Sequence, residues 1–118
     1  MPSQSGNTLS KAERLSSKRD ISRLLNNGRW GSCNGIKYCY FKDNGTQTNR
    51  IMVAVPKKYF KRAVKRNLLK RRIREAYRTQ KGLVEISGVD LMIQYDSPVI
   101  MEFTVIYGIV GKVLSSIK

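Results

Sequence analysis

The chain has 118 residues, 41% of them apolar, enough for one domain with a modest core, and its mean hydropathy of -0.40 fits a protein that lives in water. Twenty-three Lys and Arg against eight Asp and Glu leave a net charge of +15; self-repulsion on that scale points to a polyanionic partner, nucleic acid ahead of an anionic membrane surface or an acidic protein. With no histidine, His-based triads and Cys/His zinc sites are excluded, and two lone cysteines, Cys33 and Cys39, fit reduced thiols and a cytoplasmic address.

Residues 1–13, MPSQSGNTLSKAE, read as a polar, disordered tail without the apolar run of a secretory signal, which leaves one domain over residues 14–118. SKRDISRLLNNG signals a first helix. Ser17 and Asp20 stand three apart as in a capping box, Ile21, Leu24 and Leu25 share a face, and Asn27-Gly28 supplies a stop. Trp30, just beyond, is expected to be a packing residue. GIKYCYFKDNG reads as a strand closed by a turn at Asp43-Asn44-Gly45, with Ile36, Tyr38 and Tyr40 on one face and Lys37, Cys39 and Phe41 on the other.

NRIMVAV (Asn49 to Val55) is a second strand, apolar on both faces as suits a central position, and Pro56 ends it. A basic helix follows, then a further buried strand in GVDLMIQY (Gly88 to Tyr95). The C-terminal segment is rich in β-branched residues, yet Phe103, Ile106, Tyr107, Val110, Leu114 and Ile117 recur at helical spacing and predict a helix. Glu102 and Lys112 interrupt it, and it is too short to span a membrane. The order is helix, two or three strands, helix, strand, helix: an α+β layer of helices on a small mixed sheet.

Eleven of the 22 residues from Lys57 to Arg78 are Lys or Arg. At 100° per residue, Leu69, Ile73, Ala76 and Tyr77 gather into a stripe that can pack on the sheet. Opposite it lie Asn67, Lys70, Arg71, Arg74 and Arg78, with Lys61, Lys65 and Arg72 on a second flank. Solvated helix faces interleave both signs, because like charges four apart destabilise a helix. Lys70, Arg74 and Arg78 repeat at that spacing with no acid between them, an arrangement that an anion would relieve. Guanidinium forks suit phosphate. Tyr38 and Tyr40 either stack on unpaired bases or serve as ordinary core tyrosines.

No phosphate-binding glycine loop is present. Asp90 and Asp96 are the only acids placed to hold Mg²⁺ together, and six strand residues put them about 20 Å apart, too far to share an ion. The chain is equipped to hold RNA, not to cut it.

The run VAVPKKYFKRAVKRNLLKRRIREAYR resembles the signature of the bacterial ribonuclease P protein component. In that family a strand ends in a Lys-Lys pair, and a helix then reads Ala-Val, any residue, Arg-Asn-Arg, followed by Lys-Arg and Arg-Glu or Arg-Gln. Lys57-Lys58, Ala63-Val64, Arg66-Asn67, Lys70-Arg71 and Arg74-Glu75 match it; Leu68 stands where the triplet has its second Arg. RLSSKRDISRLLNNG (Arg14 to Gly28) is similar to the family's opening helix, with Ile21 where an aromatic is common.

The resemblance implies the order α-β-β-β-α-β-α, the fold of the second domain of ribosomal protein S5, with a left-handed crossover around the basic helix. It implies a subunit of an endoribonuclease that removes 5′ leaders from precursor tRNA, in which a catalytic RNA and its bound Mg²⁺ perform the hydrolysis and no residue of this chain is catalytic or binds metal. Arg66, Asn67, Lys70, Arg71 and Arg74 would face the RNA subunit, with Lys61 and Arg78 beside them. Ile21, Tyr38, Tyr40, Lys57 and Lys65 are the candidates for a cleft that contacts the single-stranded leader. Arg66→Ala together with Arg71→Ala is expected to weaken cleavage at low Mg²⁺ without unfolding the protein. The competing readings are a general or ribosome-associated RNA-binding module and a peripheral membrane protein. No small-molecule substrate is implied.

Overall fold

Ser17 accepts a hydrogen bond from the Asp20 N–H at 3.3 Å and opens α1 (Lys18–Asn27), as the spacing predicts. The computed structural model describes residues 9–118. After α1 come β1 (Arg29–Cys33), β2 (Ile36–Phe41), β3 (Arg50–Ala54), α2 (Ala63–Gln80), β4 (Asp90–Tyr95) and α3 (Phe103–Ser116). The expected α-β-β-β-α-β-α order is therefore present.

β1 and β2 form a hairpin around Asn34 and Gly35, both at positive φ (45° and 89°). The sheet order is β1-β2-β4-β3, antiparallel except for the parallel β3/β4 pair, which α2 joins. β3 is thus an edge strand, not the central strand that its two apolar faces suggested. Those faces are apolar because both are covered. Ile51 and Val53 look toward α2 and α3, while Met52 and Ala54 look toward α1. Its outer edge is shielded in part by the Leu15 N–H, which donates to the Ile51 carbonyl at 2.9 Å.

The alternation in β2 separates two cores. Ile36, Tyr38 and Tyr40 join the cluster formed by Leu69, Ile73, Ala76 and Tyr77 of α2 and Ile106, Val110 and Leu114 of α3. Cys39 and Phe41 join the smaller cluster under Leu24 of α1. The α2 stripe is buried as expected, and so are Ile106, Val110, Leu114 and Ile117 at the α3 spacing; Phe103 is half-buried and Tyr107 beside it is exposed. Among the described residues no helix is long and apolar enough to cross a membrane.

Three expectations change. Only Leu24 of the α1 face is buried; Ile21 is half-buried and Leu25 is exposed, because one turn of that short helix meets the sheet. Trp30 is 46% exposed on β1, where its indole N–H donates to the Leu25 carbonyl and the Lys37 ammonium sits 5.6 Å from its ring. The tail ends sooner than Glu13. Leu9 packs against the larger core, Lys11–Glu13 form a 3-10 turn, and Glu13 pairs with Lys81 at 2.7 Å. The remainder of the expected tail, residues 1–8, lies outside the described residues.

A buried charge cluster fixes α1 to the sheet. Asp90, fully buried at the start of β4, accepts both Nε (2.8 Å) and Nη2 (2.9 Å) of Arg50 and the Asn44 amide (2.8 Å). Arg50 also reaches Asp20 of α1 at 3.2 Å, and Arg23 of α1 stacks over Phe41 at 5.0 Å. The hydrogen bonds to Asp90 outweigh burial and hold the Arg50 proton more tightly than in water.

Candidate nucleic-acid interface

α2 presents its cations in two states. Arg66 bends back so that Nη1 donates to the carbonyls of Phe60 and Lys61, both at 2.8 Å, closing the turn into a helix that has no side-chain cap. Arg72 Nη1 donates to the Met101 carbonyl at 2.5 Å and ties α2 to the segment before α3. Arg78 pairs with Glu75, whose carboxyl it holds below the ordinary range, so the expected acid-free row is broken at its last member. Lys61, Lys65, Asn67, Arg71 and Arg74 are exposed and Lys70 is half-buried; none makes a side-chain hydrogen bond or ion pair among the described residues.

Asn67, Arg71, Arg74 and Arg78, with Glu75 held by Arg78, line one wall of an open groove of about 920 Å³. Ile51, Met52 and Val53 of β3 lie along its floor, and Leu9, Arg14 and Leu15 form the opposite wall. The groove brings together four of the seven residues expected to meet RNA. Lys61, Arg66 and Lys70 are not part of it. Because Arg66 closes a turn, the Arg66→Ala, Arg71→Ala pair would cost stability as well as binding. Leu68 is half-buried, and Arg72, engaged with Met101, is not a free replacement for the arginine missing there.

The outer wall is held by Glu13. Burial would raise its carboxyl, but the Lys81 ammonium and the Ser10 N–H together bring it below the ordinary value. Tyr77, beneath, is pushed up to about 12 by burial and by the Glu13 charge.

The residues expected at a leader cleft do not converge. Ile21 shares the α1 side of the sheet with Phe41, Met52 and Ala54. Tyr38 and Tyr40 lie on the other side, packed on the larger core, and the Tyr38 ring covers Gly31 so closely that a Cβ there would come within 2.5 Å. Alternation along β2 makes this separation unavoidable. Lys57 and Lys65 are exposed. Cys39 is buried under α1, its thiol pushed up to about 11 by burial, and Cys33 is half-buried; both are free. Arg14 and Leu9 of the groove were not singled out from the sequence; the only signal there was a pair of leucines, Leu9 and Leu15, bracketing a polar run.

The ribonuclease P family model matches residues 9–107. Ribonuclease P protein components of Porphyromonas gingivalis and Thermotoga petrophila are 37% and 33% identical over 78 and 86 residues, 64% and 73% of this chain. The match spans 57% of the first relative's length and 71% of the second's. The ribonuclease P protein structures from Thermotoga maritima and Staphylococcus aureus superpose with TM-scores of 0.78 and 0.76 at 25% identity. They cover 90% and 88% of this chain, and 98% and 94% of their own.

Proposed function

The chain belongs to the ribonuclease P protein family, and on that premise we propose that it binds the catalytic RNA of ribonuclease P and assists removal of the 5′ leader from precursor tRNA in the cytoplasm. The observation that carries the reading is the outward face of α2: Asn67, Arg71 and Arg74 stand exposed, without protein partners among the described residues, along one wall of a groove. Exposed guanidinium groups without carboxylates are sites for phosphate. Two RNAs repel one another, and a cationic wedge between them lowers that repulsion.

Hydrolysis is assigned to the RNA and its Mg²⁺. The aspartates considered as a metal pair each face a cation: Asp90 pairs with Arg50, which also meets Asp20, and Asp96 pairs with Lys58 and accepts a hydrogen bond from the Tyr59 hydroxyl. The leader is assigned to the α1 side of the sheet, where Ile21, Phe41, Met52 and Ala54 offer half-buried apolar surface for unpaired bases; Tyr38 and Tyr40 face the wrong way to share it.

The test is reconstitution. Adding the purified chain to a ribonuclease P RNA at low Mg²⁺ is expected to restore 5′ processing of precursor tRNA. RNA retention without restored processing would instead identify a general RNA-binding module.

A further inference from the structure

The groove between α2 and β3 joins two chemistries that a phosphate-binding face alone does not need together. Arg71 and Arg74 stand on one wall, where Glu75 is neutralised by Arg78, and Arg14 stands on the other. Leu9 on that second wall and Val53 on the floor, both half-buried, pack on the core that holds the buried Ile51 and make an apolar surface on the α2 side of the sheet. At about 920 Å³ the space is at the upper end of the ~300–1,000 Å³ of sites that enclose a small organic ligand.

The groove is also fixed in shape. Leu15 is bonded to Ile51 at 2.9 Å, Glu13 to Lys81 at 2.7 Å, and Leu9 packs on the core. The alternation that turns the Ile51 carbonyl toward Leu15 turns the peptide N–H and C=O of Val53 to the same side, where no strand pairs with β3 among the described residues.

A duplex offers such a slot only phosphates and sugars, since its bases are stacked inside. An acidic peptide matches the charge and leaves the apolar floor wet. An unpaired nucleotide supplies both a phosphate for the guanidinium groups and an apolar base face, with polar edges for a free peptide group. We propose that this groove seats one unpaired nucleotide of the RNA partner, its base on Leu9 and Val53 and its flanking phosphates between Arg71, Arg74 and Arg14. The proposal rests on the RNA-binding reading above and adds the feature of the RNA that the chain selects.

Two RNA hairpins with the same number of nucleotides, one fully paired and one carrying a single bulged nucleotide, test it by fluorescence anisotropy on the full chain. The bulged RNA is expected to bind about 10-fold tighter, the yield of burying roughly 60 Å² of apolar base face on aliphatic side chains. Leu9→Ser and Val53→Thr are each expected to cut that preference to under about 3-fold while leaving the paired hairpin within about 2-fold. If either variant melts early, 2-aminopurine at the bulge reports on the unaltered chain, and its emission is expected to change on binding.

Equal affinity for the two hairpins, or an unchanged emission, overturns the slot and leaves RNA binding standing. Failure to bind either hairpin overturns the RNA reading itself. Displacement of the bulged RNA by polyglutamate at matched charge overturns the choice of occupant.

Discussion

The cluster at Asp90 and the outer face of α2 are both made of arginine, and they behave in opposite ways. At Asp90 the guanidinium of Arg50 is folded in against the carboxylates of Asp90 and Asp20, and Asp90, which solvent does not reach, also accepts the Asn44 amide. On α2, Arg71 and Arg74 are exposed and neither makes an ion pair among the described residues, Glu75 on the same groove wall being held by Arg78. A charge count treats the two regions alike. Only the partner distinguishes a cation that holds the protein together from one held out for another molecule, and Arg66, Arg72 and Arg78 show intermediate cases on the same helix.

The contrast breaks most sharply at Asp90→Ala. Removing the acid leaves the half-buried Arg50 with only Asp20, and the Asn44 amide without its carboxylate, and the expected loss is about 3 kcal/mol of unfolding free energy, measured by urea titration. The opposite behaviour is expected of Arg71→Ala with Arg74→Ala. Stability should stay within about 0.5 kcal/mol, while RNA affinity falls about 30- to 200-fold and the log–log salt slope flattens by about 2.

The finest test lies between these extremes, at the Glu13–Lys81 pair. The folded-state carboxyl titrates below its unfolded value of about 4.5, so its contribution is present above that pH and is lost as pH falls through the folded value. Comparing urea midpoints at pH 7 and pH 3.5, Glu13→Gln should remove about 0.5–1 kcal/mol at the higher pH and almost nothing at the lower.

Much of this was legible in the residues because it is periodic. Leu69, Ile73, Ala76 and Tyr77 recur at the helical period and are all buried; Ile36, Tyr38 and Tyr40 alternate with Cys39 and Phe41 and divide between two cores. β1 was allowed for as a third strand and implied by the resemblance, but it was not located because RWGSC carries no strand pattern. Its signal was Asn34-Gly35, the two-residue turn that pairs it with β2. The edge position of β3 was illegible for another reason: coverage of both faces says nothing about which neighbour fills each side. The groove was half legible. Its α2 wall follows from helical angles, but Arg14 and Leu9 reach it through a tertiary contact that no local pattern encodes. The same limit hid the second role of Arg66, whose guanidinium closes a turn within the molecule.

The strand order has a consequence for how the molecule comes into being. Among the described residues β4 is the last strand and lies between β2 and β3, so until Tyr95 has left the ribosome the one ladder of this sheet that can close is the β1–β2 hairpin. α2 is therefore synthesised with its apolar stripe bare and its arginines already displayed. Contacts far apart in sequence form slowly, and for that interval a nascent chain with this topology meets polyanions as an unfinished, sticky cation.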